Sequence, residues 1–164
     1  FAEPLCPDLR SVLVTAAESA GCTHHNGGSY VCIEGPQFST LVESNLYRSW
    51  GMDIIGMTNL TEAKLAREAG ICYATLALVT DYDCWHPAHD SVTTEMIIAN
   101  LMQNVSVAQN IINRAVATFS EGRECGCRTA LRNAVLTNPD DIPAAARDRL
   151  ALLLDPILSG SGEE

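Results

Sequence analysis

Between Gly70 and Trp85 the chain changes character within one short stretch. Tyr73 to Val79 is an unbroken apolar and β-branched run of strand length, entered from a glycine, and it reads as a buried strand. Thr80, Asp81 and Asp83 follow where that strand has to end. A buried strand closing on polar residues requires a sheet around it, and the carboxyl ends of strands in open α/β sheets are where ligands are held. Two aspartates at i and i+2 are poor company, because like charges a few ångströms apart raise one pKa, and a shared or protonated carboxyl can act as a donor. The plainer reading of the same residues is a solvated loop after a core strand.

The rest of the chain supplies the sheet that this strand needs. Pro7 or Asp8 starts a helical pattern with Leu9, Val12, Leu13, Ala16 and Ala17 on one face, stopped by Gly21. Asn26-Gly27-Gly28 separates two short strand patterns, Cys22 to His25 and Ser29 to Ile33, and reads as a hairpin turn. Glu34-Gly35-Pro36-Gln37-Phe38-Ser39-Thr40 leads into a helix running to Trp50, with Ser39 or Thr40 as its cap. Asp53 to Met57 reads as a short buried strand, and a helix opened around Thr58 and capped by Thr61 runs to Ala69. Helix and strand therefore alternate through the middle of the chain, which favours an α/β sheet with crossover connections.

A long helix is expected from about Thr94 to Phe119, its stripe of Met96, Ile97, Leu101, Val105, Ala108, Ile111, Ile112 and Ala115 packing into the core. Helices near Thr129 to Leu136 and Pro143 to Leu154 follow. Residues 1–121 read as one unit, 122–158 as a helical extension, and the Ser-Gly-rich end at 159–164 as a mobile tail.

Charge and cysteine content narrow the function classes. Twenty acidic against ten basic residues among 164 give a net charge of -10, which repels a phosphodiester backbone, so nucleic acid is a poor partner. No apolar run approaches the roughly 20 residues of a membrane span, and the expected location is the cytoplasm. The seven cysteines are scattered, and most are expected to be reduced. Cys32, Cys72 and Cys84 lie in or beside apolar segments as small hydrophobes. Cys125-Gly-Cys127, flanked by Arg123 and Arg128, reads as two idle thiols in a loop before it reads as a redox pair or a bridge to another cysteine. Zinc at that pair needs two further ligands, and neither His24-His25 nor His86-x-x-His89 supplies them by local spacing, so no metal site is expected.

Three segments taken together are more specific. Ile33-Glu-Gly-Pro-Gln-Phe-Ser-Thr with Glu43-Ser44, then Gly56-Met57-Thr58 followed by Glu62, then Glu68-Ala-Gly-Ile-Cys-Tyr-Ala with Thr80-Asp-Tyr-Asp-Cys-Trp, resemble the carboxy-terminal half of methylthioadenosine phosphorylase, within the trimeric purine nucleoside phosphorylases. The resemblance runs in order from Phe1 to about Phe119 and weakens beyond Gly122. It implies an α/β fold that is part of a phosphorylase-type mixed β-sheet flanked by helices, completed by an amino-terminal half that this chain lacks.

The chemistry it implies is phosphorolysis, in which phosphate attacks C1′ of the nucleoside while the purine leaves through a ribooxocarbenium-like transition state. Asp81 matches the carboxylate that hydrogen-bonds the purine N7 and 6-amino group. An aspartate near its ordinary pKa of about 3.9 is a poor acid at neutral pH, so burial and the charge on Asp83 are expected to raise it. Asp83 matches a second base-site carboxylate. Phe38 matches a ring that stacks on the purine, Ser39 a base-site position, and Met57 the residue against the ribose. Thr58 matches a hydroxyl on phosphate. Thr94, Ile97 and Ile98 match the pocket for the 5′-substituent. Inorganic phosphate is the co-substrate, and no cofactor is implied.

Two departures from the family pattern shape the expectation. Thr94 stands where human-type members carry an aliphatic residue, so it can offer a partner to a 5′-hydroxyl. Methylthioadenosine is then the better substrate, with adenosine accepted more readily. The glycine-rich phosphate loop, the Arg-His pair and the Thr-Ala pair of the family's amino-terminal half have no counterpart here. The start at Phe1 reads as an interior cut, and the resemblance then implies a complementary amino-terminal chain, with a trimer of such pairs as the assembly. Two other readings stand beside this one. A 6-oxopurine phosphorylase typically carries Glu where Ser39 stands and Asn where Asp81 stands, so these residues point to adenine. The other is a non-catalytic purine-binding or assembly module.

Overall fold

A computed structural model describes residues 1–86, 94–119 and 125–158. The element order is α1 (Pro7–Ala20), β1 (Tyr30–Cys32), α2 (Leu41–Ser49), β2 (Ile54–Gly56), α3 (Asn59–Glu68), α4 (Thr94–Thr118), α5 (Ala144–Arg149) and α6 (Ala151–Leu158), with a single 3-10 turn at Pro139–Asp141. Helices around a parallel pair of strands make this an α/β arrangement.

Helix α1 starts where proline tolerates a missing N–H partner, and Gly21 ends it in the left-handed region at φ 67°. Its cap is Cys6, whose sulfur accepts the N–H of Leu9. Ala16 and Ala17 of α1 bury themselves against Ile111 and Ala115 of α4, with Val12, Leu13, Leu76 and Val107 packed around them. Alanines at the crossing let the two helices approach closely. Among the described side chains of the α4 stripe, Ala108, Ile111 and Ala115 are core. Leu101, Val105 and Ile112 are exposed, and the side chains of Met96 and Ile97 lie outside what the structure describes.

The sheet differs from the one read in the sequence. β1 pairs with β2 in parallel, Tyr30 opposite Ile54 and Cys32 opposite Gly56. No strand forms at Cys22 to His25, so the expected hairpin is absent among the described residues. Gly27 and Gly28 do adopt positive φ, but the chain leaving them is captured by Asp53, whose Oδ2 accepts the N–H of Ser29 at 2.7 Å and its hydroxyl at 2.8 Å. That crosslink fixes the parallel register in place of a hairpin.

Tyr73 to Val79 is not a ladder strand among the described residues, and its far end is exposed, with Val79 62% accessible. A strand exists only beside a neighbour that takes its N–H and C=O groups, and here side chains and a helix cap take part of that role. The Tyr73 carbonyl accepts from the N–H of Cys6, the Val79 carbonyl from Asn104 Nδ2 and the Thr80 carbonyl from Asn100 Nδ2.

Helix α3 is preceded by Thr58 rather than capped by Thr61, which lies inside it. Its first residue, Asn59, accepts the hydroxyls of Tyr73 and Thr75 at 3.0 and 2.6 Å and so ties the helix start to the central stretch.

The carboxy-terminal part also departs from expectation. Residues 126–134 form successive turns, with bonds from Ala130 to Cys127, Arg132 to Thr129 and Ala134 to Leu131, where a helix over Thr129 to Leu136 is expected. A segment this short does not recover the cost of helix nucleation. The Pro143 to Leu154 pattern is broken at Leu150 into α5 and α6. Residues 120–124 and the tail at 159–164 lie outside the described residues. Among the described residues no helix is long and apolar enough to cross a membrane.

Candidate active site

Because β1 and β2 are parallel, the loops that leave their carboxyl ends emerge on the same edge. After β1 comes Ile33 to Ser39, and after β2 come Met57 and Thr58. The two loops interlock at Gly35, which has φ 69°; a Cβ there would lie 2.6 Å from Met57 Sδ. Only glycine permits both that conformation and that approach. The Gly35-Pro36 peptide is cis.

This loop lines an open cavity of about 260 Å³ bounded by Glu34, Phe38, Ser39, Glu43 and Tyr47. Phe38 presents its ring to solvent, 85% exposed. Thr40, and not Ser39, caps α2: its hydroxyl accepts the Glu43 N–H, while Glu43 Oε2 accepts the N–H and hydroxyl of Thr40 at 2.7 and 2.8 Å. The Thr40 N–H, then its hydroxyl, hold the Glu43 carboxyl below its ordinary value. Ser39 is thereby left without a capping role. Its Oγ is buried and has no hydrogen-bond partner among the described residues.

The aspartates approach from the other side. The hydroxyl of Ser44, a residue 2% exposed, donates to Asp83 Oδ2 at 2.7 Å, and Asp83 Oδ1 accepts the N–H of Cys84. Asp83 sits at φ 61°, uncommon for any residue with a side chain and concentrated at functional turns. That turn aims its N–H at Asp81 Oδ1, 2.8 Å away, while Asp81 Oδ2 accepts the Thr80 hydroxyl at 2.8 Å. Asp81 is therefore oriented through both oxygens. It is exposed in this chain, where burial was expected.

Cys84 Sγ lies 3.7 Å from the Ser39 carbonyl, closing the contact between the two loops. Trp85 is held by the Arg48 guanidinium 3.6 Å over its ring, and His86 stacks on Tyr82.

The structure thus sets the Ser39 loop against the turn that carries Asp83, through Cys84 and Ser44, with Asp81 bonded to that turn; Phe38 lines the cavity with Ser39, and Met57 meets the same loop at Gly35. Thr58 is exposed at the amino end of α3, where its hydroxyl makes no capping bond. Ile98 is 53% exposed on α4, the helix whose Asn100 reaches the Thr80 carbonyl. The side chains of Thr94 and Ile97 lie outside what the structure describes. Sequence reasoning missed the anchoring asparagines, Asn100 and Asn104. Their i, i+4 spacing, which puts both on one helix face, was the available signal.

A second cluster lies apart from this edge. The sulfurs of Cys6, Cys72, Cys125 and Cys127 all lie within 4.8 Å of one another, with Cys72 and Cys125 at 3.4 Å. Cys72, Cys125 and Cys127 therefore belong to one four-sulfur group with Cys6. Burial, then the Cys125 side chain, pushes the Cys72 thiol far up, and burial pushes Cys127 to about 11. Cys125 is lowered, chiefly because the Cys127 backbone N–H donates to its sulfur.

The sequence profile of the Phosphorylase superfamily matches residues 1–117. The chain belongs to that superfamily. Phosphorylase-superfamily relatives that resemble it are named S-methyl-5'-thioadenosine phosphorylase: one from Koribacter versatilis is 53% identical over 154 residues, covering 94% of this chain and 53% of the relative. Another, from Thermosynechococcus vestitus, is 58% identical over 158 residues, covering 94% and 55%. A solved methylthioadenosine phosphorylase from an antarctic soil metagenomic library superposes with a TM-score of 0.85 at 50% identity, over 93% of this chain and 54% of that one. The Schistosoma mansoni methylthioadenosine phosphorylase, solved with adenine, gives 0.67 at 32% identity over 95% and 54%. The chain spans about half the length of the relatives it matches.

Proposed function

We propose that this chain provides the base and ribose walls of an enzyme that cleaves 5′-methylthioadenosine with phosphate, giving adenine and 5-methylthioribose 1-phosphate. The observation that carries this reading is the hydrogen-bonded series Ser44, Asp83, Asp81, standing beside the unpartnered hydroxyl of Ser39 and the bare ring of Phe38. Phe38 offers a face for a purine, and stacking of this kind contributes about 1 to 3 kcal/mol. Asp81, fixed through both oxygens, hydrogen-bonds N7 and the 6-amino group and takes part in proton transfer as the base leaves. Asp83 sets its orientation through its own N–H. Met57 gives the developing sugar cation a polarizable, apolar neighbour.

Thr58, with a free hydroxyl at the amino end of a helix that follows a strand, is placed to contact phosphate. The remaining phosphate ligands come from a complementary amino-terminal chain, and the working assembly is a trimer of such pairs. Two features support a covering partner. Asp81 is exposed, whereas a base-site carboxylate works in a dry site. Val79, Leu101, Met102 and Val116 also leave apolar surface open to solvent.

Phosphate-dependent release of adenine from methylthioadenosine tests the reading, measured for the chain alone and with a complementary amino-terminal polypeptide. Activity is expected only from the pair. Turnover by the chain alone would remove the two-chain part of the proposal, and binding of adenine without turnover by the pair would favour a purine-binding module.

A further inference from the structure

We propose that Cys6, Cys72, Cys125 and Cys127 form a closed tetrathiolate site for one zinc ion, which staples the carboxy-terminal segment to the phosphorylase-type body. Four sulfurs around zinc at about 2.3 Å stand about 3.8 Å from one another in a tetrahedron. The observed cluster brackets that spacing, from 3.4 Å between Cys72 and Cys125 to an upper limit of 4.8 Å. A disulfide engages two sulfurs and leaves two over. A tetrahedral ion engages all four.

The surroundings are built for sulfur ligands. Cys6 and Cys127 are buried, so the site leaves no open coordination position for substrate, as in structural rather than catalytic zinc centres. The Leu9 N–H donates to Cys6 Sγ at 3.5 Å. This is an outer contact that orients a ligand and disperses its charge. Cys6 is the cap of a 14-residue helix, whose amino end favours negative charge. Asp8 Oδ2 accepts the Cys125 N–H at 3.1 Å, and the Cys6 N–H donates to the Tyr73 carbonyl at 2.7 Å, so three separate segments already converge there.

On ligation each thiol releases one proton to solvent, four in all, and the zinc tetrathiolate carries a net charge of -2. No electron is transferred. The ion would join α1, the stretch leading to Asp81, and the start of the 125–158 segment.

The test uses the purified, reduced protein with any associated chain. It is loaded with zinc, passed through a desalting column, and its metal content measured. One zinc per copy of this chain is expected. Titration with an organomercurial should release it as four thiols react, while Cys22, Cys32 and Cys84 react without release. Cobalt in its place should give the intense visible bands of a tetrahedral tetrathiolate. Cys125→Ser should retain no zinc, and Cys22→Ser should retain all of it. Should Cys125→Ser fail to fold, the mercurial and cobalt titrations of the unaltered protein decide alone. Four reduced thiols that bind no metal would overturn the proposal. So would a mass deficit of two hydrogens mapping to a disulfide among these four. Loss of zinc leaves the adenine-site residues in place, so failure here is distinguishable from failure of the phosphorylase reading.

Discussion

The hydroxyl of buried Ser44 donates to a carboxylate oxygen of Asp83 at 2.7 Å, across 39 positions of sequence. It is the bond that holds the aspartate turn against α2. Ser44→Ala leaves that oxygen without its donor in a site where water has little access. A loss of about 1 to 3 kcal/mol in stability is expected, with a fall in kcat/KM for methylthioadenosine in the assembled enzyme. Chemical unfolding and steady-state kinetics check it, and an unchanged kcat/KM would detach Ser44 from the site.

Asp81→Asn replaces one accepting oxygen by an amide that cannot accept, so either the Thr80 hydroxyl or the Asp83 N–H loses its partner. Activity on adenine nucleosides is expected to fall by about 2 to 4 kcal/mol in the transition state. Relative activity on inosine-type substrates should improve. Methylthioadenosine turnover within a few-fold of the parent would show that another residue handles the base.

Phe38→Leu separates binding from folding. The ring is 85% exposed, so its loss should change stability by no more than about 0.5 kcal/mol. Nucleoside affinity of the assembled enzyme should fall by about 1 to 3 kcal/mol as stacking is lost. Calorimetric binding of adenine and a thermal melt read the two quantities separately.

Gly35→Ala should destabilise by about 1 to 3 kcal/mol, since it places a side chain at φ 69° and a Cβ 2.6 Å from Met57 Sδ. Part of that loss should disappear in a Met57→Ala background, because the collision is relieved while the backbone strain remains. Strict additivity of the two substitutions would mean that the loops do not interlock.

The Asp53 carboxyl is held below its ordinary value, chiefly by the Ser29 N–H and then by its hydroxyl. A group with a depressed folded pKa contributes stability that is present above its unfolded pKa and lost as pH falls through the folded one. The β1–β2 register should therefore loosen in acid below the ordinary aspartate range, and Asp53→Asn should abolish that part of the pH dependence. Amide exchange at Ser29 and Ile54, followed against pH, is the measurement.

Helices α1 and α2 were legible because each rests on local chemistry, while the base-site candidates rest on the family resemblance. Pro7 and Gly21 bound α1, Thr40 and Glu43 announce the start of α2, and the Phe38-Ser39 and Asp81-Asp83 pairs carry a recognisable order. The sheet was not legible in the same way. Gly27 and Gly28 take the positive φ that Asn26-Gly27-Gly28 suggests, but whether a hairpin follows depends on Asp53, 24 positions from Ser29, taking that residue's N–H and hydroxyl. Tyr73 to Val79 has strand composition, yet a ladder needs a neighbour that composition does not specify. The four cysteines failed for the same reason: spacing along the chain between Cys6, Cys72 and Cys125 says nothing of the fold that brings them together.

Asn100 and Asn104 grip the chain at the carbonyls of Thr80 and Val79, not at their side chains. The hold is indifferent to which residues stand at those two positions. What α4 fixes is a path: identity at 79 is left free to vary, whereas Thr80 is still needed for the hydroxyl it donates to Asp81 Oδ2. An edge anchored in this manner can have residue 79 exchanged while Asp81 stays on its track.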